Sequence, residues 1–268
     1  MDAYLQRLIE SSYLREPVTR SAIQAVELPV GSRGLDVGCG HGAQAMLLAE
    51  AVGSAGHVTG LDLRREFLVY AQEIAQQAGL SNRLSFQEGD MYSLPFDDNT
   101  FDWAWSMDCV GYAPGDPLPP LRELVRVVKP GGIVAISAWS SEQLLPGYPL
   151  LEARLSATAS GIAPFVNGGR PEFHFLRALG WLHDLGLEEL TARTFVGEAS
   201  APLDDALRRA LTSLLQMRWE GAQSEVSPAD WAEYRRLCQP ESTDFILNLP
   251  DYYAFFTYSL FRGKVNLP

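Results

Sequence analysis

Apolar and polar positions alternate in short blocks through the first half of the chain and settle into helical spacing in the second. Residues 2–13 place Leu5, Leu8 and Ile9 on one helical face, Arg15-Glu16-Pro17 predicts a break, and Thr19 to Leu28 reads as a second helix. Leu35 and Val37 alternate with polar or small neighbours, as in a short buried strand, and Ala43 to Ala51 is a run of good helix formers. Val58 to Asp62 reads as a second strand. From Gly31 to Gly132 strands and helices alternate, which predicts a parallel sheet covered on both faces. Beyond Trp139 the spacing is mostly helical: Leu150 to Ser160, Pro171 to Leu185, and a stretch from Ser200 that carries Leu203, Leu207, Leu211 and Leu214 at helical intervals. Ser227-Pro228-Ala229-Asp230 is a capping box with proline at the first helical position. Leu187 to Gly197 and Ala254 to Gly263 read as the remaining strands.

The chemistry concentrates between the first strand and its helix, where Gly38, Gly40 and Gly42 form a turn without side chains. A ligand can approach such a main chain closely, and the amides that open the next helix point toward it. Strand, glycine turn and helix make the first unit of a nucleotide-binding α/β fold. Two ligands compete for this turn. Gly38, Gly40 and Ala43 satisfy the dinucleotide fingerprint of a nicotinamide oxidoreductase. Asp36, two residues before the first glycine, argues against it, because a carboxylate there repels a pyrophosphate and attracts an ammonium group. Asp62 falls about 20 residues past the glycines, the distance at which such an acid meets ribose hydroxyls.

The pattern Asp36-x-Gly38-x-Gly40-x-Gly42 resembles motif I of class I S-adenosylmethionine-dependent methyltransferases. Four further segments agree in order: the strand ending at Asp62; Leu84 to Met91 with its Gly89-Asp90 pair; Leu94 to Asp102, similar to the quinone-methylase-like branch; and Leu121 to Gly132 before a fifth strand, Ile133 to Trp139. The resemblance covers residues 30–140 and implies a Rossmann-like, doubly wound, seven-stranded sheet whose last strand is antiparallel. It implies S-adenosylmethionine as cofactor, held by Asp36, Gly38, Gly40, His41, Asp62, Leu63, Asp90, Met91 and Ser106. Asp62 would accept the ribose hydroxyls, Leu63 would pack on the adenine and Asp90 would lie near its amino group. The whole chain then reads as one methyltransferase domain: N-terminal lid helices (1–29), a cofactor-binding core (30–140), cap insertions (141–186 and 198–250) and the last strands (187–197 and 254–264). Both insertions fall near the carboxyl ends of strands, the ligand edge of an open α/β sheet.

Composition narrows the partners. The net charge of −12 repels phosphate backbones and the arginines are scattered, so nucleic acid is not expected as a substrate. No apolar run approaches a membrane span, and the N-terminus has no signal-peptide pattern. Three dispersed cysteines, Cys39, Cys109 and Cys238, have no metal-ligand spacing and fit a reduced cytoplasm. Only Lys129 and Lys264 are lysines among 21 basic residues, a skew that points to a GC-rich bacterial genome.

Methyl transfer asks the protein to position an acceptor and, where the acceptor carries a proton, to offer a base. Asp108 and Tyr112 follow strand four, where the resemblance places the reactive methyl, and His174 sits among aromatics in the first insertion. These three are the candidates for acceptor contact. Each has a plainer reading: a turn cap for Asp108, packing for Tyr112, a core histidine for His174. The aromatics Tyr4, Tyr13, Trp139, Phe165, Phe173, Phe175, Trp219, Trp231, Tyr252 and Tyr253 include candidates for an apolar acceptor wall. No amino-methyltransferase tetrapeptide and no catechol-type metal site is present. The reading is methyl transfer to a small, partly apolar metabolite. The alternative is a non-catalytic member that binds the cofactor as a regulatory or scaffolding module.

Overall fold

Every residue of β1 (Arg33–Val37) after Arg33 is buried, and a strand covered on both faces belongs inside a sheet with a neighbour on each edge. In the computed structural model, which describes residues 3–112, 115–161 and 170–266, those neighbours are β2 (His57–Asp62) and β4 (Phe101–Met107), both parallel to it. β3 (Leu84–Glu88) pairs with β2, and β5 (Val128–Gln143) with β4, again in parallel. β6 (Glu188–Ser200) and β7 (Tyr253–Lys264) complete the order β3-β2-β1-β4-β5-β7-β6, with β7 antiparallel to its neighbours. The expected doubly wound sheet with an antiparallel last strand is therefore present. The chain winds outward from β1 to β3 and then returns to the other edge of β1 with β4. The carboxyl ends of β1 and β4 flank this reversal, the place where open α/β sheets bind ligands.

Two compact units divide the chain. Described residues 19–139, 170–195 and 258–266 form the larger; 3–18, 140–161 and 196–257 form the smaller. In the larger unit α2 (Ala43–Ala51), α3 (Arg65–Gln77) and α4 (Leu118–Val127) follow β1, β2 and β4. One apolar core joins Leu35 and Val37 of β1 to Leu121 and Leu124 of α4, and to Phe175, Trp181 and Phe261.

The smaller unit buries Leu151 and Leu155 of α5 (Pro149–Ser156), Leu211, Leu214 and Leu215 of α7 (Asp205–Trp219), and Tyr234 and Leu237 of α8 (Pro228–Cys238). Asp204 caps α7 through the Leu207 amide at 2.7 Å, and Ser227 caps α8 through the Asp230 amide at 3.1 Å, as the capping-box reading requires. Its interior also holds an ion pair, Arg218 to Glu142 at 2.8 Å.

Three elements differ from the sequence reading. Instead of two helices broken near residue 16, α1 (Ala3–Val26) runs unbroken through Pro17. Pro17 is exposed, whereas Leu14, Val18, Ala22, Ile23 and Val26 are buried, and that buried stripe outweighs the missing amide hydrogen bond. The helix expected over Pro171 to Leu185 is two 3-10 turns, Pro171–Phe173 and Phe175–Arg177, followed by α6 (Ala178–Asp184). The helix expected to reach Ser160 ends at Ser156.

Candidate active site

The turn after β1 is built by positive φ angles that glycine alone adopts at little cost. Gly38 has φ +78°, and a Cβ there would lie 2.5 Å from the Cβ and Sγ of Cys109. Its close contact seats the turn against the loop after β4. Gly40, at φ +54°, is the opposite case: a Cβ there would meet nothing within 4 Å, so this residue borders open space. The turn is anchored on β2, because the amides of Gly38 and Cys39 both donate to Leu61 O, at 2.8 and 3.0 Å.

Two carboxylates face this turn in different states. Asp62 is half-buried; its Oδ2 accepts from the Gly40 amide at 2.8 Å and its Oδ1 from the Arg64 amide at 2.9 Å. Asp36 has no exposed surface, and among the described residues neither of its oxygens has a hydrogen-bond partner. Burial first, and the nearby Asp62 charge second, push the Asp36 carboxyl up to about 8. A buried carboxylate with no donor is costly unless something completes it. The missing partner is a cation or a strong donor, which is what the amino-acid end of S-adenosylmethionine carries. The open face of Gly40 leaves room for it, and no phosphate would satisfy Asp36. The residues therefore fit the cofactor that the resemblance implies.

The remaining predicted residues fall into two groups. Leu63 follows Asp62 with 68% of its surface exposed, an apolar side chain in water at the ligand edge. Asp90 is exposed, its Oδ1 accepting from the Tyr92 amide at 2.9 Å, and Met91 takes the Cys109 thiol on its sulfur at 3.6 Å. The His41 ring lies 6.5 Å from that of Tyr70 on α3. Ser106 lies beneath the turn, at the junction of β4 and β1. Its hydroxyl is fully buried, donates to Val37 O at 2.7 Å and accepts from the Val110 amide at 3.0 Å. It ties β4 to β1 beneath the turn.

Asp108 has φ +53°, and both of its oxygens are engaged. Oδ1 accepts from the Trp139 amide at 2.9 Å and Oδ2 from the Tyr258 hydroxyl at 2.8 Å. It joins the ends of β4 and β5 to β7, and Tyr258 is a member of this network that sequence reasoning missed. The alternating burial of β7, with Ala254, Phe256 and Tyr258 inward, is the signal that could have found it. Tyr112 packs half-buried against the core, and His174 is exposed, its Nδ1 accepting from the Leu176 amide at 3.3 Å as the cap of a 3-10 turn. This exposed position differs from the core setting that was the plainer reading of His174. Of the expected aromatic wall, Trp219 and Tyr252 are buried core, Tyr4, Tyr13 and Tyr253 are exposed, and Phe165 lies outside the described residues. Among the described residues, no group of His, Cys, Asp and Glu is placed to hold a metal ion, and no helix is long and apolar enough to cross a membrane.

The reversal of strand order between β1 and β4, a glycine turn with a buried acid beside it and a second acid at the end of β2 define a nucleoside-binding α/β protein. The sequence places it further. Residues 29–170 match the methyltransferase domain family, and the chain belongs to it, as an S-adenosylmethionine-dependent methyltransferase of the quinone-methylase-like branch. It is 30% identical to a demethylmenaquinone methyltransferase of Staphylococcus epidermidis over 68% of this chain and 78% of that protein. It is 35% identical to sterol 24-C-methyltransferase ERG6B of Gibberella zeae over 47% of this chain and 32% of that one. Among solved structures, the YcgJ protein of Bacillus subtilis shares the fold with a TM-score of 0.58 at 18% identity, covering 94% of this chain and all of that one. The [4+2]-cyclase SpnF shares it with a TM-score of 0.56 at 24% identity, covering 94% and 82%. One sheet thus carries different named reactions, and the family statement rests on sequence rather than on the fold.

Proposed function

We propose that the chain moves the methyl group of S-adenosylmethionine to a small, partly apolar metabolite. The cofactor's amino-acid end would be held by Asp36, Gly38, Gly40 and His41, and its nucleoside by Asp62, Leu63, Asp90 and Met91. The single observation that carries this reading is Asp36, a fully buried carboxylate without a hydrogen-bond partner among the described residues, beside the open side of Gly40. S-adenosylmethionine, when bound, supplies an electrophilic methyl carbon on a sulfonium.

The chain's own residues bind and orient. Asp62 keeps acceptor capacity beyond its two backbone bonds, enough for ribose hydroxyls. Leu63 offers an apolar face to a flat base. Ser106 holds β4 against β1, and Asp108 is a positioning residue that fixes the Tyr258 hydroxyl and the end of β5. Tyr112 is the candidate retained for direct acceptor contact. His174, an exposed cap, is assigned no part in proton transfer.

Two observations support the acceptor class. Relatives are named for demethylmenaquinone and for carbon 24 of sterols, and the net charge of −12 disfavours nucleic acid. The test is incubation with methyl-labelled S-adenosylmethionine and fractionated metabolites. Label in a lipophilic small-molecule fraction is the expected result. Cofactor binding with no S-adenosylhomocysteine formed from any fraction would favour the non-catalytic alternative.

A further inference from the structure

Asp36 sits where a carboxylate has little to keep it charged. Its strand is flanked by β2 and β4, its side chain has no surface exposed to water, and among the described residues neither oxygen has a donor. The titratable groups around it are Asp62 from the end of β2, Cys39 from its own turn and Cys109 from the loop after β4. Both thiols are pushed up by burial and so stay neutral, which leaves Asp62 as the charged neighbour, and it has the same sign. His41 also belongs to the turn, and its ring lies 6.5 Å from that of Tyr70.

From this cluster we infer that the ligand-free chain keeps Asp36 as the neutral acid, and that seating the cofactor's ammonium expels the proton to solvent. The exchange balances: a carboxylic acid and a free ammonium ligand become a carboxylate–ammonium pair and one released proton. The inference rests on the proposed placement of the amino-acid end at Asp36. Its consequence is that affinity is set by pH. With the carboxyl near 8 in the empty site, the binding-competent ionised fraction grows about tenfold for each pH unit between 6 and 7 and levels off above 8. Cofactor and demethylated product share the ammonium end, so both would follow the same curve.

The experiment is calorimetry of the whole protein with S-adenosylhomocysteine at pH 6.5, in two buffers of different ionisation heat, repeated on Asp36→Asn. The expected result is release of about one proton per ligand in the native chain, with affinity rising about tenfold from pH 6 to pH 7. In Asp36→Asn the release disappears and any remaining affinity is flat with pH. If that variant does not bind, the two-buffer difference and the pH series of the native chain decide. Binding with no proton release would overturn the inference and leave the cofactor assignment standing. Proton release that persists in Asp36→Asn would move it to another group and overturn it as well. No binding anywhere between pH 6 and 9 would overturn both the inference and the assignment beneath it.

Discussion

Gly38 and Gly40 share a positive φ and sit two residues apart, yet they do different things. Gly38 is glycine because Cys109 leaves no space for a Cβ, whereas a Cβ at Gly40 would meet none of the described atoms, and the proposed cofactor site uses that space. Gly38→Ala combines a strained backbone with a forced contact and should cost about 2–4 kcal/mol of stability. Gly40→Ala carries the backbone strain alone, about 1 kcal/mol, and should weaken cofactor binding far more than folding. Denaturant unfolding and calorimetry on the two variants check the contrast. Equal loss of stability in both would remove the argument for an open face at Gly40. The glycines and Asp36 were legible in the sequence because the local turn fixes their spacing, and Asp62 because it ends the strand that follows the next helix. The roles of Ser106 and Asp108 were not, since each depends on partners 69, 31 and 150 residues away, Val37, Trp139 and Tyr258.

At the scale of elements, the inner parallel strands were the most readable part, because their apolar residues, Leu35 and Val37 in β1 and Val58 and Leu61 in β2, recur between glycine turns and runs of helix formers. The failure at α1 is instructive. Local propensity placed a break at Pro17, but five buried residues spaced along one face of the helix continue past it. Pro17→Ala, at an exposed position, restores an amide and removes a ring, and should raise stability by about 1–3 kcal/mol. An unchanged or lower Tm would mean that the proline is itself held in packing. The stretch from Pro171 to Arg177 misled for a related reason: its apolar residues have near-helical spacing, but the backbone closes into 3-10 turns capped by His174.

For the whole molecule, pH links the site to stability. Asp36 has a folded-state carboxyl well above its ordinary value, so its favourable contribution is complete below about pH 4 and is lost as pH rises toward 8. Glu152, raised chiefly by burial, contributes in the same direction, whereas Glu123, held down by Arg126, contributes in the opposite one. The ligand-free native chain should therefore lose Tm relative to Asp36→Asn between pH 4 and pH 8. Parallel curves for the two proteins would show that Asp36 does not titrate in that window.

The account stands on the cofactor site, and the most direct measurement of it is the affinity of S-adenosylhomocysteine for the native chain and for Asp62→Ala, by calorimetry at pH 8. Asp62 accepts two backbone amides in the structure and is proposed to accept ribose hydroxyls with its remaining lone pairs, each such charge-assisted bond being worth roughly 1.5–3 kcal/mol before water compensates. A net loss of about 2–3 kcal/mol corresponds to about 30- to 150-fold weaker binding. The account predicts micromolar binding by the native chain and that loss in a variant that still folds. Absence of binding by the native chain at millimolar ligand, or unchanged affinity in a folded Asp62→Ala, would contradict it.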